Sequence, residues 1–112
     1  MPAVALDPKA INKAIQLWFK QNDKSWEDFH RESRQQIYTP ELTDHLRQSG
    51  LIGEADTFYF DAMTYEASSY SKETRVILGR VSQGNSDTLL FTRRDMYDDG
   101  GKVHSYCKYY TS

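Results

Sequence analysis

One change of character, at Gly53, constrains this chain more than any other feature. Before it, apolar residues recur at helical spacing and are punctuated by helix-start signals. After it, those signals vanish, and aromatic and β-branched residues alternate between turn-forming clusters. Helices first and strands afterwards predict an α+β domain rather than an alternating βαβ one. A chain of 112 residues has room for one core, so a single domain over 1–112 is expected. Its helical part spans about 8–50 and its sheet part about 56–111.

The helical half is read from its caps. Asp7-Pro8 offers a side-chain acceptor followed by a proline where no amide hydrogen bond is lost. Ile11, Ala14, Ile15, Trp18 and Phe19 then trace one face of a helix over 8–21. Ser25 with Asp28 three residues on is a near capping box, predicting a second helix over 25–49 with a break near Thr39. Thr39-Pro40-Glu41 restarts the pattern, Leu42 and Leu46 share a face, and Gly50-Leu51 reads as the C-terminal stop.

The strand half is read from its turns. Segment 56–66 alternates, with Phe58, Phe60 and Ala62 on one face and Tyr59, Met63 and Tyr65 on the other. Strands are expected over 73–82, 88–97 and 102–110. Gln83-Gly84-Asn85-Ser86 and Asp98-Asp99-Gly100-Gly101 join them, and such short turns force antiparallel pairing. Ile15, Trp18, Leu42, Leu46, Val76, Leu78, Leu89 and Phe91 are the expected core.

Composition excludes several function classes. Fourteen Lys and Arg against sixteen Asp and Glu give a net charge of −2. Direct nucleic-acid binding, which needs a concentrated cationic surface, is not expected. No apolar run approaches a membrane span of about 20 residues. One cysteine, Cys107, rules out an intrachain disulfide and a cysteine-based zinc site. The lone thiol and the absence of a signal-like start in residues 1–8 favour the cytoplasm. A periplasmic chain whose signal had been replaced by Met1 would read the same. His30, His45 and His104 lack metal-ligand spacing, and no cofactor is expected.

The phrases AIQLWFKQ (14–21), IYTPELTDHLRQSG (37–50), ADTFYFDAMTY (55–65) and LLFTRRDMYDDGGKVHSYCKYY (89–110) resemble the cystatin-like (NTF2-like) superfamily. Within it they are most similar to bacterial domains of unknown function with a YTPEL-like helix and a D-x-F-x-x-D-A segment. The resemblance implies N-terminal helices packed on a curved antiparallel meander. Those families often close on Trp-x-Ile where this chain has Val103-His104-Ser105-Tyr106. No functional residue carries over.

The resemblance implies one kind of catalytic site, an Asp or His in a cavity between helices and sheet. Asp61, His104 and Glu66 are then the carboxylate or imidazole candidates, with Tyr59, Tyr65 or Tyr106 as donors. A solvated sheet face accounts for the same residues. Cys107 lies three residues from His104, so on one strand the two point to opposite faces. Cys107 is expected as a small buried hydrophobe.

Two features point to binding instead. Residues 41–66 hold Glu41, Asp44, Glu54, Asp56, Asp61 and Glu66 against Arg47 alone. This block can be a solvated edge or a docking surface for a basic partner. Seven of eight tyrosines lie between Tyr59 and Tyr110. Strand preference accounts for some, yet a sheet covered on one face leaves others exposed, as protein interfaces use them. The expected function is therefore a non-enzymatic protein-binding domain of the inhibitor or toxin-neutralising immunity type. Its expected partner-binding residues are Glu54, Asp56, Tyr59, Asp61, Tyr65, Glu66, Tyr106 and Tyr110. An inhibitor of a nucleic-acid-binding enzyme would use the same acidic physics. The alternative is an NTF2-like ligand-binding protein or enzyme. A homodimer through the open sheet is compatible with either.

Overall fold

Apolar patterning in both halves is satisfied by one antiparallel sheet with helices against one face. The computed structural model describes residues 4–66 and 73–110. Tyr70, one of the seven tyrosines counted above, and position 111, the end of the expected sheet part, lie outside them. In chain order the elements are α1 (Pro8–Gln21), a single 3-10 turn (Trp26–Phe29), β1 (Gln35–Tyr38) and α2 (Pro40–Gln48). Then come β2 (Thr57–Tyr65), β3 (Glu73–Gln83), β4 (Ser86–Tyr97) and β5 (Val103–Tyr109). The sheet order is β1-β2-β3-β4-β5, and every neighbouring pair is antiparallel. No described helix is long and apolar enough to cross a membrane.

Both helices start where their caps say. The Asp7 carboxylate accepts from the Ala10 amide at 3.2 Å, and Pro8 opens α1. Gly50 closes α2 at φ +74°, a conformation that favours glycine, and the Leu51 amide reaches back to the Leu46 carbonyl at 3.1 Å. Ile11, Ile15, Trp18 and Phe19 of α1 meet Leu42 and Leu46 of α2 over Phe58, Phe60, Ala62, Ile77, Val81, Leu90 and Phe91 of the sheet. Thr43, fully buried, donates its hydroxyl to the Phe58 carbonyl at 2.9 Å and ties α2 to β2.

The expected helix over 25–38 does not form. Asp28 does accept from the Ser25 amide at 2.7 Å, so the cap is real. The helix it starts lasts one turn. Trp26 and Phe29 both enter the aromatic core, with Phe29 stacked 5.3 Å from Phe19 and Trp26 edge-on to Phe91 at 5.9 Å. Gln35-Gln36-Ile37-Tyr38 carries only one apolar side chain for the core, and it adds an edge strand with Ile37 opposite Phe60. The expected helical part thus contains the sheet's first strand.

The parity of the central strands also differs from expectation. Ile77 and Val81, with Gly79 between them, face the helices, so Val76 and Leu78 lie on the opposite face, where Val76 is buried as expected and Leu78 only half-buried. The pairing shifts at Gly79/Arg80, with Gly79 opposite Phe91 and Arg80 opposite Leu89. Leu90 is the extra residue of a β-bulge. It is fully buried while Leu89 is half-buried on the helix-free face. The Phe91 ring lies over Gly79, where a side chain would collide with it.

Candidate functional site

No described helix covers the second face of the sheet, and the register of the strands lays it out in rows. One row runs Tyr38, Tyr59, Arg80, Leu89. The next runs Gln36, Asp61, Leu78, Thr92, Lys108, and the third Met63, Val76, Arg94, Tyr106. The last is Tyr65, Thr74, Met96, His104. Tyr38 and Tyr106 are 52% and 59% exposed, and Met63, Tyr65 and Arg94 are exposed as well. Tyrosine, methionine and arginine around aliphatic neighbours is the composition enriched at protein interfaces.

The eight expected binding residues divide. Tyr59, Tyr65, Tyr106 and Tyr110 belong to this face, and Asp61 lies within it but is only 3% exposed. The guanidinium of Arg34 grips both Asp61 oxygens at 3.0 and 3.4 Å, and Arg80 stands 3.9 Å away. Asp56 is also buried. Its carboxylate accepts from the Gly53 amide at 2.6 Å and from Gln83 at 3.0 Å, stapling the loop before β2 to the end of β3. Both acids are structural, which corrects the expectation that they are exposed. Glu54 is exposed on that loop and Glu66 at the far end of β2, so block 41–66 does not form one acidic surface.

Two of the tyrosines are anchored. The Tyr59 hydroxyl donates to Asp87 at 2.7 Å. Desolvation, reinforced by that carboxylate, pushes its pKa up to about 12. The Tyr110 hydroxyl accepts from Thr92 at 3.2 Å. Among the described residues, the hydroxyls of Tyr38, Tyr65 and Tyr106 have no hydrogen-bond partner.

The catalytic candidates are not brought together. Asp61 on β2 and His104 on β5 are separated by two strands and lie in different rows. Cys107 is exposed rather than buried, because no described helix lies over the helix-side face of most of β5. The Asn12 amide of α1 approaches its sulfur at 3.9 Å, and the Tyr109 phenol lies beside it on the same strand face.

A polar cluster that the sequence reading missed lies on the helix-side face beyond the aromatic core. Asp95 is buried, accepts from Ser105 at 2.6 Å, and has Arg93 at 3.3 Å and His30 Nε2 at 3.6 Å. Arg75 bonds Glu73 at 3.0 Å and Tyr97 at 3.3 Å, and its guanidinium is 3.2 Å from His30 Nδ1. Burial and then the Arg75 charge lower the His30 pKa, outweighing the pull of Asp95. Ser105 donates to Asp95, not to His30, so no serine–histidine pair forms among the described residues of the cluster. It braces the 3-10 turn against β3 and β4. Below it, Glu32, Glu66, Glu73, Asp98 and Asp99 border an open groove of about 600 Å³. No group of three or more described side chains has the geometry of a metal site.

No family model matches the chain, and no curated protein or solved structure matches it either.

Proposed function

We propose that the chain is a non-enzymatic protein-binding domain, of the inhibitor or immunity type, that docks through the helix-free face of its sheet. The observation that supports this best is the exposure on that face of Tyr38, Met63, Tyr65 and Tyr106 around half-buried Leu78 and Leu89. Large, rigid side chains with few torsions lose little entropy on binding, so they make effective anchors. The partner's charge follows from what is left over. Asp61 is held by Arg34, and Asp87 is held by Tyr59 and by Arg80 at 3.4 Å. Arg94 has no ion pair among the described residues, and Lys108 is exposed. This face therefore favours an acidic partner, the reverse of what the acid-rich block 41–66 led us to expect. Helices on one face of an antiparallel sheet support the cystatin-like (NTF2-like) reading of the fold, and the free thiol of Cys107 supports a cytoplasmic setting.

The test compares capture of partners from extracts of the source cell by the wild-type chain and by a Tyr38→Ala/Tyr106→Ala variant. Both are checked for the same thermal midpoint. A protein retained by the first and lost by the second supports this surface. Equal retention by both, or turnover of a small molecule by the purified chain, overturns it. Light scattering of the purified chain tests whether a second copy occupies the face.

A further inference from the structure

β5 ends the sheet, and nothing described pairs with its outer side. Six of its seven residues are exposed, on both faces. The direction of its backbone groups follows from two hydrogen bonds that bracket it. The Asp98 amide donates to the Lys102 carbonyl at 3.0 Å, and the Tyr110 amide donates to the Leu90 carbonyl at 2.9 Å. Hydrogen-bonded pairs alternate along an antiparallel ladder. With Tyr97 opposite Val103 and Phe91 opposite Tyr109, His104, Tyr106 and Lys108 turn their N–H and C=O groups toward β4. Val103, Ser105, Cys107 and Tyr109 turn theirs outward.

Unprotected edges are templates for another strand, and folded proteins usually blunt them with proline, bulges or cover. β5 has no proline, its pairing with β4 is unbroken, and no described segment lies along its outer side. It holds no acidic residue. Lys108 lies on it, Lys102 precedes it, and Arg94 stands opposite Tyr106 on the neighbouring strand. These cations oppose pairing with a second copy. A two-fold pairing about Tyr106 would set His104 against Lys108 of the other copy and bring both Arg94 side chains toward the axis. The same cations favour an acidic strand.

We propose that the outer edge of β5 accepts an extended acidic segment of a partner protein as an added antiparallel strand. This rests on the protein-binding reading above and identifies the backbone groups that would carry it. Pairing supplies hydrogen bonds to Val103, Ser105, Cys107 and Tyr109, while acidic side chains at alternate positions reach Lys108 and Arg94. Tyr106 gives the added strand an aromatic neighbour on the helix-free face.

The test uses a short synthetic peptide alternating glutamate with valine and threonine, and a control with lysine in place of glutamate. Amide hydrogen exchange is followed residue by residue in the isotope-labelled chain. The acidic peptide is expected to slow exchange at Val103, Ser105, Cys107 and Tyr109 by about tenfold or more, with little change at the already bonded His104, Tyr106 and Lys108. Cys107→Pro removes one outward amide and is expected to weaken binding by roughly tenfold. Should that variant fail to fold, Lys108→Glu, on the face where the acidic side chains lie, is expected to weaken binding of the acidic peptide and to favour the lysine control. Equal binding of the two peptides, no binding at about millimolar peptide, or protection without the alternating pattern overturns the proposal. So does outward-amide protection in the free chain that grows with protein concentration, which would make a second copy the occupant. Loss of partner capture in the Tyr38→Ala/Tyr106→Ala variant, with no peptide effect on β5, would leave the face reading standing and this one refuted.

Discussion

Gly79→Ala tests the contact that sets the parity of the two central strands. A Cβ at this position would lie 2.8 Å from Cδ1 of the Phe91 ring, with Cε1 and Cζ nearer still. The ring cannot swing freely, because Phe91 is fully buried and has Trp26 edge-on at 5.9 Å. Overpacking of this kind costs about 1–3 kcal/mol. The backbone is not in the left-handed region, so alanine recovers roughly 0.4–1 kcal/mol by restricting the unfolded chain. The expected net loss is about 1–2 kcal/mol. An unfolding entropy of about 2.1 cal/mol/K per residue converts this to a fall in thermal midpoint of roughly 4–8 °C for a chain of this size. Calorimetry of Gly79→Ala, Phe91→Leu and the double variant provides the assay. The double variant is expected to be less destabilised than the sum of the singles, since the smaller side chain makes room for the new methyl. An unchanged or raised midpoint in Gly79→Ala would refute the placement of the ring. It would also undo the bulge at Leu90 and the assignment of Leu89 and Arg94 to the helix-free face.

Leu46→Ala is expected to cost about 2–5 kcal/mol, and the half-buried Leu89→Ala distinctly less; chemical denaturation measures both, and equal losses would contradict the parity of β4. Asp61→Lys places an ammonium in a site 3% exposed beside Arg80. Its expected cost of about 3–5 kcal/mol would show as a collapse of the denaturation midpoint. Tyr59 is neutral in the folded chain to about pH 12, whereas the unfolded phenol ionises near its ordinary value of 10.0. Its contribution to stability is therefore complete below that ordinary value and is lost as the pH rises through the window up to the folded value. A spectroscopic titration should show Tyr59 ionising late, and Asp87→Asn should move that step earlier.

What the sequence shows depends on how local the deciding interaction is. Both α-helices are legible because aspartate or threonine followed by proline starts a helix using neighbours alone. The β3-β4-β5 meander is legible because its turns are short, and the faces of β2 because Phe58, Phe60 and Ala62 alternate strictly. β1 is not legible, since Gln35-Gln36-Ile37-Tyr38 becomes a strand only through β2, which follows it after a whole helix. Nor is the inward face of β3, because Val76, Ile77 and Leu78 are apolar in succession and Gly79 decides among them through Phe91 on another strand. The acids fail for the same reason. Asp56 and Asp61 read as surface charge until Gln83 and Arg34, each 27 residues away in sequence, are seen to hold them. The tyrosines of the helix-free face were visible as alternation, but Tyr38 was hidden by its assignment to a helix.

The tyrosines separate into those the fold uses and those it leaves available. Tyr59, Tyr97 and Tyr110 have their hydroxyls bound by Asp87, Arg75 and Thr92. Tyr38 and Tyr106 have no such partner among the described residues, and they sit on opposite edge strands, β1 and β5. Four inter-strand spacings of about 4.8 Å put roughly 19 Å between those edges. A small ligand does not reach both. A protein interface of ordinary size, about 800 Å² per partner, does. If one partner spans the face, Tyr38→Ala and Tyr106→Ala each speed its dissociation, by an amount on the order of 2 kcal/mol at an anchoring position. If the partner only adds a strand at β5, Tyr106→Ala weakens it and Tyr38→Ala does not. Dissociation rates of the two single variants, measured against the same captured partner, separate these outcomes. Unchanged rates in both would remove the helix-free face as the docking surface.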